Sequence, residues 1–378
     1  MKGNMRFCVP CLFGVEGLVA QELRDMGLEQ VQAENGRVLF SGGWEAMVRA
    51  NLCGRFGERV LLLLGEFPAR SFEELFQGVK ALPWEGLLGK EDAFPVTGSS
   101  LSSQLHSVPD CQAIIKKAIV ERLKAKYKLS WFAESGALHR VRFRILKDQV
   151  SVLVDTSGEG LHKRGYRALS NDAPMKETLA ASLCQLSRLR QDGHLIDPFC
   201  GSGTILIEGA LLARNIAPGL GRAFTAESWG SVPGQLWQQE RERARSLERR
   251  DTGFTAQGFD VDPAAVELTL ANAQKAGVED CITASVRDVR DFTQEGPYGC
   301  VVCNPPYGER LLDVRQAQEL YRALGQVFRP RRGWSFGVIS PDPEFESLFG
   351  RRADKRRKLY NGMIQCQYYQ YFRGSDKR

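Results

Sequence analysis

The stretch Asp197-Pro198-Phe199-Cys200-Gly201-Ser202-Gly203-Thr204 decides how this chain is read. It follows an apolar run that begins at His194, and it leads into a helical pattern over 204–214. That makes it a strand, a glycine turn and a helix in succession. Ligands of open α/β sheets bind at the carboxyl ends of strands, where glycine lets the backbone approach them closely. Gly201 and Gly203 supply G-x-G, without the third glycine of the dinucleotide fingerprint and without the G-K-[ST] ending of a phosphate loop. A bare G-x-G is weak; the eight residues as a block are much stronger.

Working outward from the turn, the pattern repeats. A strand over 255–260 leads to a helix over 263–276, and a strand over 282–286 follows. A strand over 299–304 precedes a helix over 314–328 and a strand over 334–340. Strands separated by helices predict βαβ units and a mostly parallel sheet. The tail over 363–372 is strand-like and is expected to add an antiparallel edge. Between them, 215–251 reads as an insertion carrying a charged helix over 236–250.

The N-terminal half has a different pattern. Strands are expected over 6–12 and 38–40, and helices over 15–26 and 44–52, with Gly27 stopping the first helix. A second unit starts at Val60 with a strand over 60–64. Next comes a helix over 71–82 whose Ser71 and Glu74 form a capping-box pair. A strand over 93–97 precedes a helix over 110–126 with the apolar stripe Ile114, Ile115, Ala118, Ile119 and Leu123. Strands over 138–146 and 149–155 close the unit.

Composition sets bounds on function. The 378 residues are 43% hydrophobic and 25% charged, enough for two or three globular domains. The longest aliphatic run, 60–64, is far short of the roughly 18 residues needed to span a bilayer. No cleavable export signal is visible, so a cytoplasmic protein is expected. The ten cysteines are dispersed, and with four histidines the pairs Cys8/Cys11 and Cys300/Cys303 point to reduced thiols rather than a metal site. The net charge of +6 is unevenly spread: 111–128 and 351–358 each hold six basic residues against one acidic. Lys163, Arg164 and Arg167 form a third basic stretch. Such patches neutralise phosphates, so a nucleic-acid partner is expected, with Lys116, Lys117, Lys163, Arg164 and Arg167 as its contacts.

Three further features give the turn a chemistry. Gly258-Phe259-Asp260-Val261-Asp262-Pro263 ends the next strand with carboxylates that can accept both hydroxyls of a ribose. Asp288, after the third strand, can accept a hydrogen bond from an adenine amine. With the glycine turn these residues describe an adenosyl pocket. Asn304-Pro305-Pro306-Tyr307 ends the fourth strand. A nucleobase amine is a poor nucleophile because its lone pair is delocalised into the ring. The Asn304 side-chain oxygen and the Pro305 carbonyl can hold both amine protons and aim the lone pair at an electrophilic methyl. Tyr307 offers a face on which a flipped base can stack.

In this order and spacing the motifs resemble class I S-adenosylmethionine-dependent methyltransferases acting on nucleobase amines. The segment Asn304 to Arg310 resembles the RNA guanine-N2 methyltransferases of the RlmL type. The resemblance extends over nearly the whole chain, including the stretch from Ser157 to Arg167 and that from Ala173 to Ala180. It implies an α/β fold: a Rossmann-like methyltransferase over 161–378, after an α+β module made of a ferredoxin-like unit over 1–55 and a THUMP RNA-binding domain over 56–160. It also implies S-adenosylmethionine as cofactor, held by Thr178, Asp197, Pro198, Phe199, Gly201, Gly203, Thr204, Asp260, Val261 and Asp288. Asn304, Pro305, Pro306 and Tyr307 would hold the target base. The implied substrate is structured RNA, foremost 23S rRNA, with tRNA, or an adenine N6 in DNA or RNA, as alternatives. Longer relatives fuse a second methyltransferase domain, which this chain departs from.

Overall fold

A computed structural model describes residues 3–167, 175–308 and 314–372. The strand-like runs of the first half join a single seven-stranded sheet. In chain order its region contains β1 (Met5–Pro10), α1 (Glu16–Asp25), β2 (Glu29–Glu34), β3 (Arg37–Gly42), α2 (Trp44–Cys53), β4 (Leu61–Pro68), α3 (Phe72–Ala81), β5 (Val96–Leu101), α4 (Val108–Tyr127), β6 (Val141–Leu146) and β7 (Gln149–Asp155). The sheet order is β2-β3-β1-β4-β7-β6-β5, antiparallel except where β5 runs parallel to β6. Ser71 caps α3 as its sequence predicts, with the Glu74 N–H donating to Ser71 Oγ and Glu74 accepting from the Ser71 N–H. In α4 the buried stripe is Cys111, Ile115, Ala118, Ile119 and Leu123, whereas Ile114 is only half-buried.

The second half contains α5 (Glu177–Leu186), β8 (His194–Asp197), α6 (Thr204–Ala213), α7 (Gly234–Ser246), β9 (Thr255–Asp260), α8 (Pro263–Ala276), β10 (Ile282–Val286), β11 (Gly299–Cys303), α9 (Val314–Val327), β12 (Trp334–Ser340), α10 (Phe345–Phe349), β13 (Lys355–Asn361) and β14 (Ile364–Phe372). Its sheet order is β10-β9-β8-β11-β12-β14-β13. The first five strands are parallel, and β14 and β13 are antiparallel additions. Strand order reverses between β8 and β11, so the carboxyl ends of these two strands flank the place where such sheets bind ligands.

The structure adds β2, α5, α10 and β13 to the expected elements, and some expected strands are placed differently. The tail strand is not the edge: β14 lies between β12 and β13. Tyr368, Tyr369, Gln370 and Tyr371 are buried in succession, so both faces of β14 are covered, while the Lys- and Arg-rich β13 suits an exposed edge. The strand expected over 93–97 begins at Val96, and Ala93 makes only an isolated bridge to Leu138.

An aromatic cluster supports β12 and β14. Phe328 stacks on Phe336 at 5.0 Å, Phe345 on Tyr369 at 4.6 Å and Phe349 on Tyr371 at 4.7 Å. Each such pair adds about 0.5–1.5 kcal/mol beyond the burial of its rings. Arg351, half-buried, lies 4.6 Å from the Tyr371 ring centroid, which draws one cation of the 351–358 patch partly out of solvent.

By contact the chain divides into two compact units. One comprises 1–11, 19–161 and 223–243; the other comprises 12–18, 162–222 and 244–378. The insertion therefore folds with the first unit for part of its length. There the Ala226 N–H donates to Thr156 O, the Trp229 ring stacks on His139 at 4.4 Å, and Glu240 pairs with Arg49 at 2.7 Å.

Candidate functional site

The glycine turn sits between β8 and α6. Gly201 and Gly203 have φ of 54° and 79°, in the left-handed region that favours glycine. A Cβ on Gly203 would lie 2.9 Å from Thr269 Cγ2, so packing also demands glycine there. α8 clamps the turn from behind: Thr269 Oγ1 donates to Gly201 O at 2.9 Å, and Asn272 Nδ2 donates to Ser202 O at 2.9 Å. Thr269 and Asn272 were not singled out from sequence. Their signal is two polar residues three apart on the buried face of a helix that is otherwise packed with Ala and Val.

Asp260 ends β9 and ties that strand to the turn. Its Oδ2 accepts the Gly201 N–H at 3.0 Å and its Oδ1 the Asp262 N–H at 3.1 Å. A carboxylate can accept about four hydrogen bonds, so acceptor capacity is left for two ribose hydroxyls. Val261, 67% exposed, offers an apolar surface beside it. These residues fit an adenosine. Asp197 is almost fully buried, and its Oδ1 accepts the Phe199 N–H at 3.0 Å. Burial pushes its carboxyl up to about 8, the Phe199 bond opposes this, and the Asp260 charge adds to it. Pro198 is buried and Phe199 half-buried, while Thr204 starts α6. Thr178 is fully buried in α5. Asp288 caps a short 3₁₀ turn: Oδ1 accepts the Arg290 N–H and Oδ2 pairs with the Arg290 guanidinium, both at 2.8 Å.

Asn304-Pro305-Pro306-Tyr307 leaves the end of β11, with Pro305 buried and the other three residues half-buried. Tyr307 Oη donates to Asn304 Oδ1 at 2.5 Å. Asn361 Nδ2, at the end of β13, donates to Tyr307 Oη at 3.2 Å. Burial pushes the Tyr307 phenol well up, so it keeps the proton it donates. The phenol thus fixes the Asn304 amide and leaves one lone pair of Oδ1 for a ligand. Tyr321 Oη reaches Pro306 O at 3.4 Å and accepts from Ser340 Oγ at 3.2 Å, bracing the prolines. Glu309 and Arg310 of the sequence motif, and Ala173 and Pro174 upstream, lie outside the described residues.

The basic residues expected to face nucleic acid divide into two groups. Lys117 and Lys163 are exposed. Arg164 is not a surface residue; it is buried and lies 3.5 Å from Glu208, which also accepts from Tyr166 Oη at 3.0 Å. Arg167 pairs with Glu177 at 2.7 Å and donates to Met175 O at 3.1 Å and Thr204 Oγ1 at 3.4 Å, tying the segment before the turn to the start of α6. Lys116 pairs with Glu134 at 2.5 Å and sits 3.6 Å from the Phe94 ring centroid. These three cations satisfy partners of the fold.

A parallel sheet with its reversal at β8/β11, a glycine turn closing one of those strands and Asn-Pro-Pro-Tyr closing the other define a Rossmann-like methyltransferase. Residues 164–370 match the RMKL-like methyltransferase domain, 6–61 the RlmL ferredoxin-like domain and 69–155 the THUMP domain. The chain belongs to the RMKL-like methyltransferase family. YpsC of Bacillus subtilis (strain 168), named provisionally as an RNA methyltransferase, is 44% identical over 95% of this chain and 94% of its own. The ribosomal RNA large subunit methyltransferase K/L of Psychromonas ingrahamii is 35% identical over 99% of this chain, which spans 51% of that relative. Among solved structures, SMU.472, a provisionally named methyltransferase complexed with SAH, aligns at TM-score 0.94 and 41% identity, covering 100% of both chains. A Listeria monocytogenes protein described as a predicted N6-adenine-specific DNA methylase aligns at TM-score 0.93 and 44% identity, over 98% of this chain and 97% of its own.

Proposed function

We propose that this protein methylates the exocyclic N2 of a guanosine in structured RNA, with 23S rRNA as the substrate and S-adenosylmethionine as the cofactor. The observation that carries the reading is the Asn304-Pro305-Pro306-Tyr307 motif at the end of β11, beside the strand reversal, with Tyr307 already fixing the Asn304 amide. When bound, the cofactor supplies an electrophilic methyl on sulfur. Gly201 and Gly203 give its backbone cradle, Asp260 accepts the ribose hydroxyls and Val261 faces the adenine. Phe199, Thr204 and the buried Asp197 with Pro198 shape the floor. Thr178 and Asp288 are outer members of the set.

The chain's own residues prepare the amine. Asn304 Oδ1 accepts one amine proton through its remaining lone pair, and the Pro305 carbonyl accepts the other. Holding both protons pyramidalises the nitrogen and orients its lone pair. No strong base is needed, because the amine becomes acidic as its new bond forms and its proton leaves to solvent. The ferredoxin-like unit over 1–55 and the THUMP domain over 56–160 bind the RNA, with Lys117 and Lys163 on exposed surface, and 161–378 performs the transfer. We place the reaction in the cytoplasm.

An adenine N6 amine presents the same two protons, and the description of the Listeria neighbour favours that reading; the two differ in the base and in the nucleic acid. The reading is tested with Asn304→Ala. Methyl transfer should fall to background while RNA affinity stays within about twofold, because the docking residues lie elsewhere. A fully active variant would overturn the role given to the amide.

A further inference from the structure

We propose that the β13–β14 hairpin is a wedge that enters the RNA stack as the target base leaves it, with Met363 as the inserted side chain. The inference rests on the base-methylating reading above. β13 and β14 are joined by the two-residue turn Gly362-Met363, with Gly362 at φ 63° and Asn361 paired to Ile364. Met363 is 97% exposed, the most exposed large apolar side chain among the described residues. An apolar side chain at the tip of a tight hairpin has no packing reason to be there.

Its position gives it one. Asn361, the last residue of β13, donates to the phenol that fixes Asn304, so the turn begins one residue beyond a side chain bound to the base-holding motif. Two residues of chain span at most about 7 Å, which keeps the Met363 backbone that close to the backbone of Asn361, whose side chain reaches the motif. The strand leading to the tip is the sheet edge, paired among the described residues with β14 alone, and it exposes Lys355 and Lys358. Arg356 is exposed too but pairs with Glu346, and Arg357 donates to Gly14 O. Exposed cations along an edge suit a phosphate backbone. Extracting a base leaves two unstacked faces, and inserted apolar wedges, Met among them, fill such gaps in other nucleic-acid complexes.

The test compares wild type, Met363→Ala and Met363→Leu on unmodified 23S rRNA transcribed in vitro. A wedge needs apolar volume, so Met363→Ala should lower kcat/KM about tenfold and Met363→Leu should stay within twofold of wild type. A side chain this exposed contributes nothing to packing, so both variants should keep the wild-type Tm and S-adenosylhomocysteine affinity. Undiminished activity in Met363→Ala, or equal loss in both variants, overturns the wedge. Wild-type protein that methylates no RNA overturns the functional reading itself, a result distinct from either.

Discussion

Replacing Tyr307 with Phe removes a single oxygen and tests how the amine-holding group is kept in place. The phenol donates to Asn304 Oδ1 at 2.5 Å, accepts from Asn361 Nδ2 at 3.2 Å and lies 3.8 Å from Cys366 Sγ. The ring stays, so a base stacked on it would keep that contact. What is lost is the bond that fixes the Asn304 amide, and a freed amide can rotate away from the amine. A partly buried hydrogen bond of this kind contributes about 0.5–1.5 kcal/mol net. Misorientation of the accepting group brings the expected loss of transition-state stabilisation to about 1–2 kcal/mol, or roughly five- to thirtyfold in kcat. The assay is methyl transfer at saturating S-adenosylmethionine, with KM for RNA measured in parallel and expected to hold within twofold. Asn361→Ala should show a smaller loss of the same kind. The double variant should be no worse than Tyr307→Phe alone, because both changes break one chain of bonds. An unchanged kcat in Tyr307→Phe, or a loss confined to KM, would refute this account of Asn304.

Two further predictions follow from buried and exposed charge. The Asp197 carboxyl is held up to about 8 against an ordinary value of 3.8, so the native state keeps a proton that the unfolded chain releases. Its contribution to stability therefore falls as pH rises from about 4 to about 8; Asp197→Asn, which resembles the protonated acid and still accepts from Phe199, should flatten the Tm against pH over that window. Parallel curves for the two proteins would contradict it. Lys117→Glu should weaken RNA binding and lower the slope of log affinity against log salt by about one or more, since Lys117 is exposed while Lys116 is held by Glu134; unchanged affinity and slope would remove α4 from the RNA surface.

The parts of the molecule legible in the sequence are those whose signal is local. Apolar runs bounded by glycine and capping residues mark β8, β9, β11 and their helices, and the ends of those strands carry the site motifs. β2 was missed because Glu29 to Glu34 has no buried face: the strand lies at a sheet edge with polar side chains outward. α5 reads as a family segment rather than a helix because Glu177 to Cys184 are buried in succession, polar residues included, so its Thr178 and Ser182 mark no solvent face. β13 was read as a basic patch, which is how an edge strand protected by charge appears in one dimension. Residues whose meaning depends on distant partners were the least legible. Arg164 finds Glu208, Lys116 finds Glu134 and Asn361 finds Tyr307 across gaps that no local pattern records. A count of cations therefore overstated the RNA surface, and the phenol that fixes Asn304 was seen only as a stacking face.

The central claim is the amine and the nucleic acid it belongs to. Methyl-labelled S-adenosylmethionine would be incubated with the full chain and, separately, with unmodified 23S rRNA, total tRNA and genomic DNA. Each product would then be digested to nucleosides and identified by mass. The account predicts label in N2-methylguanosine from 23S rRNA; label in N6-methyladenosine, or in DNA alone, would contradict it.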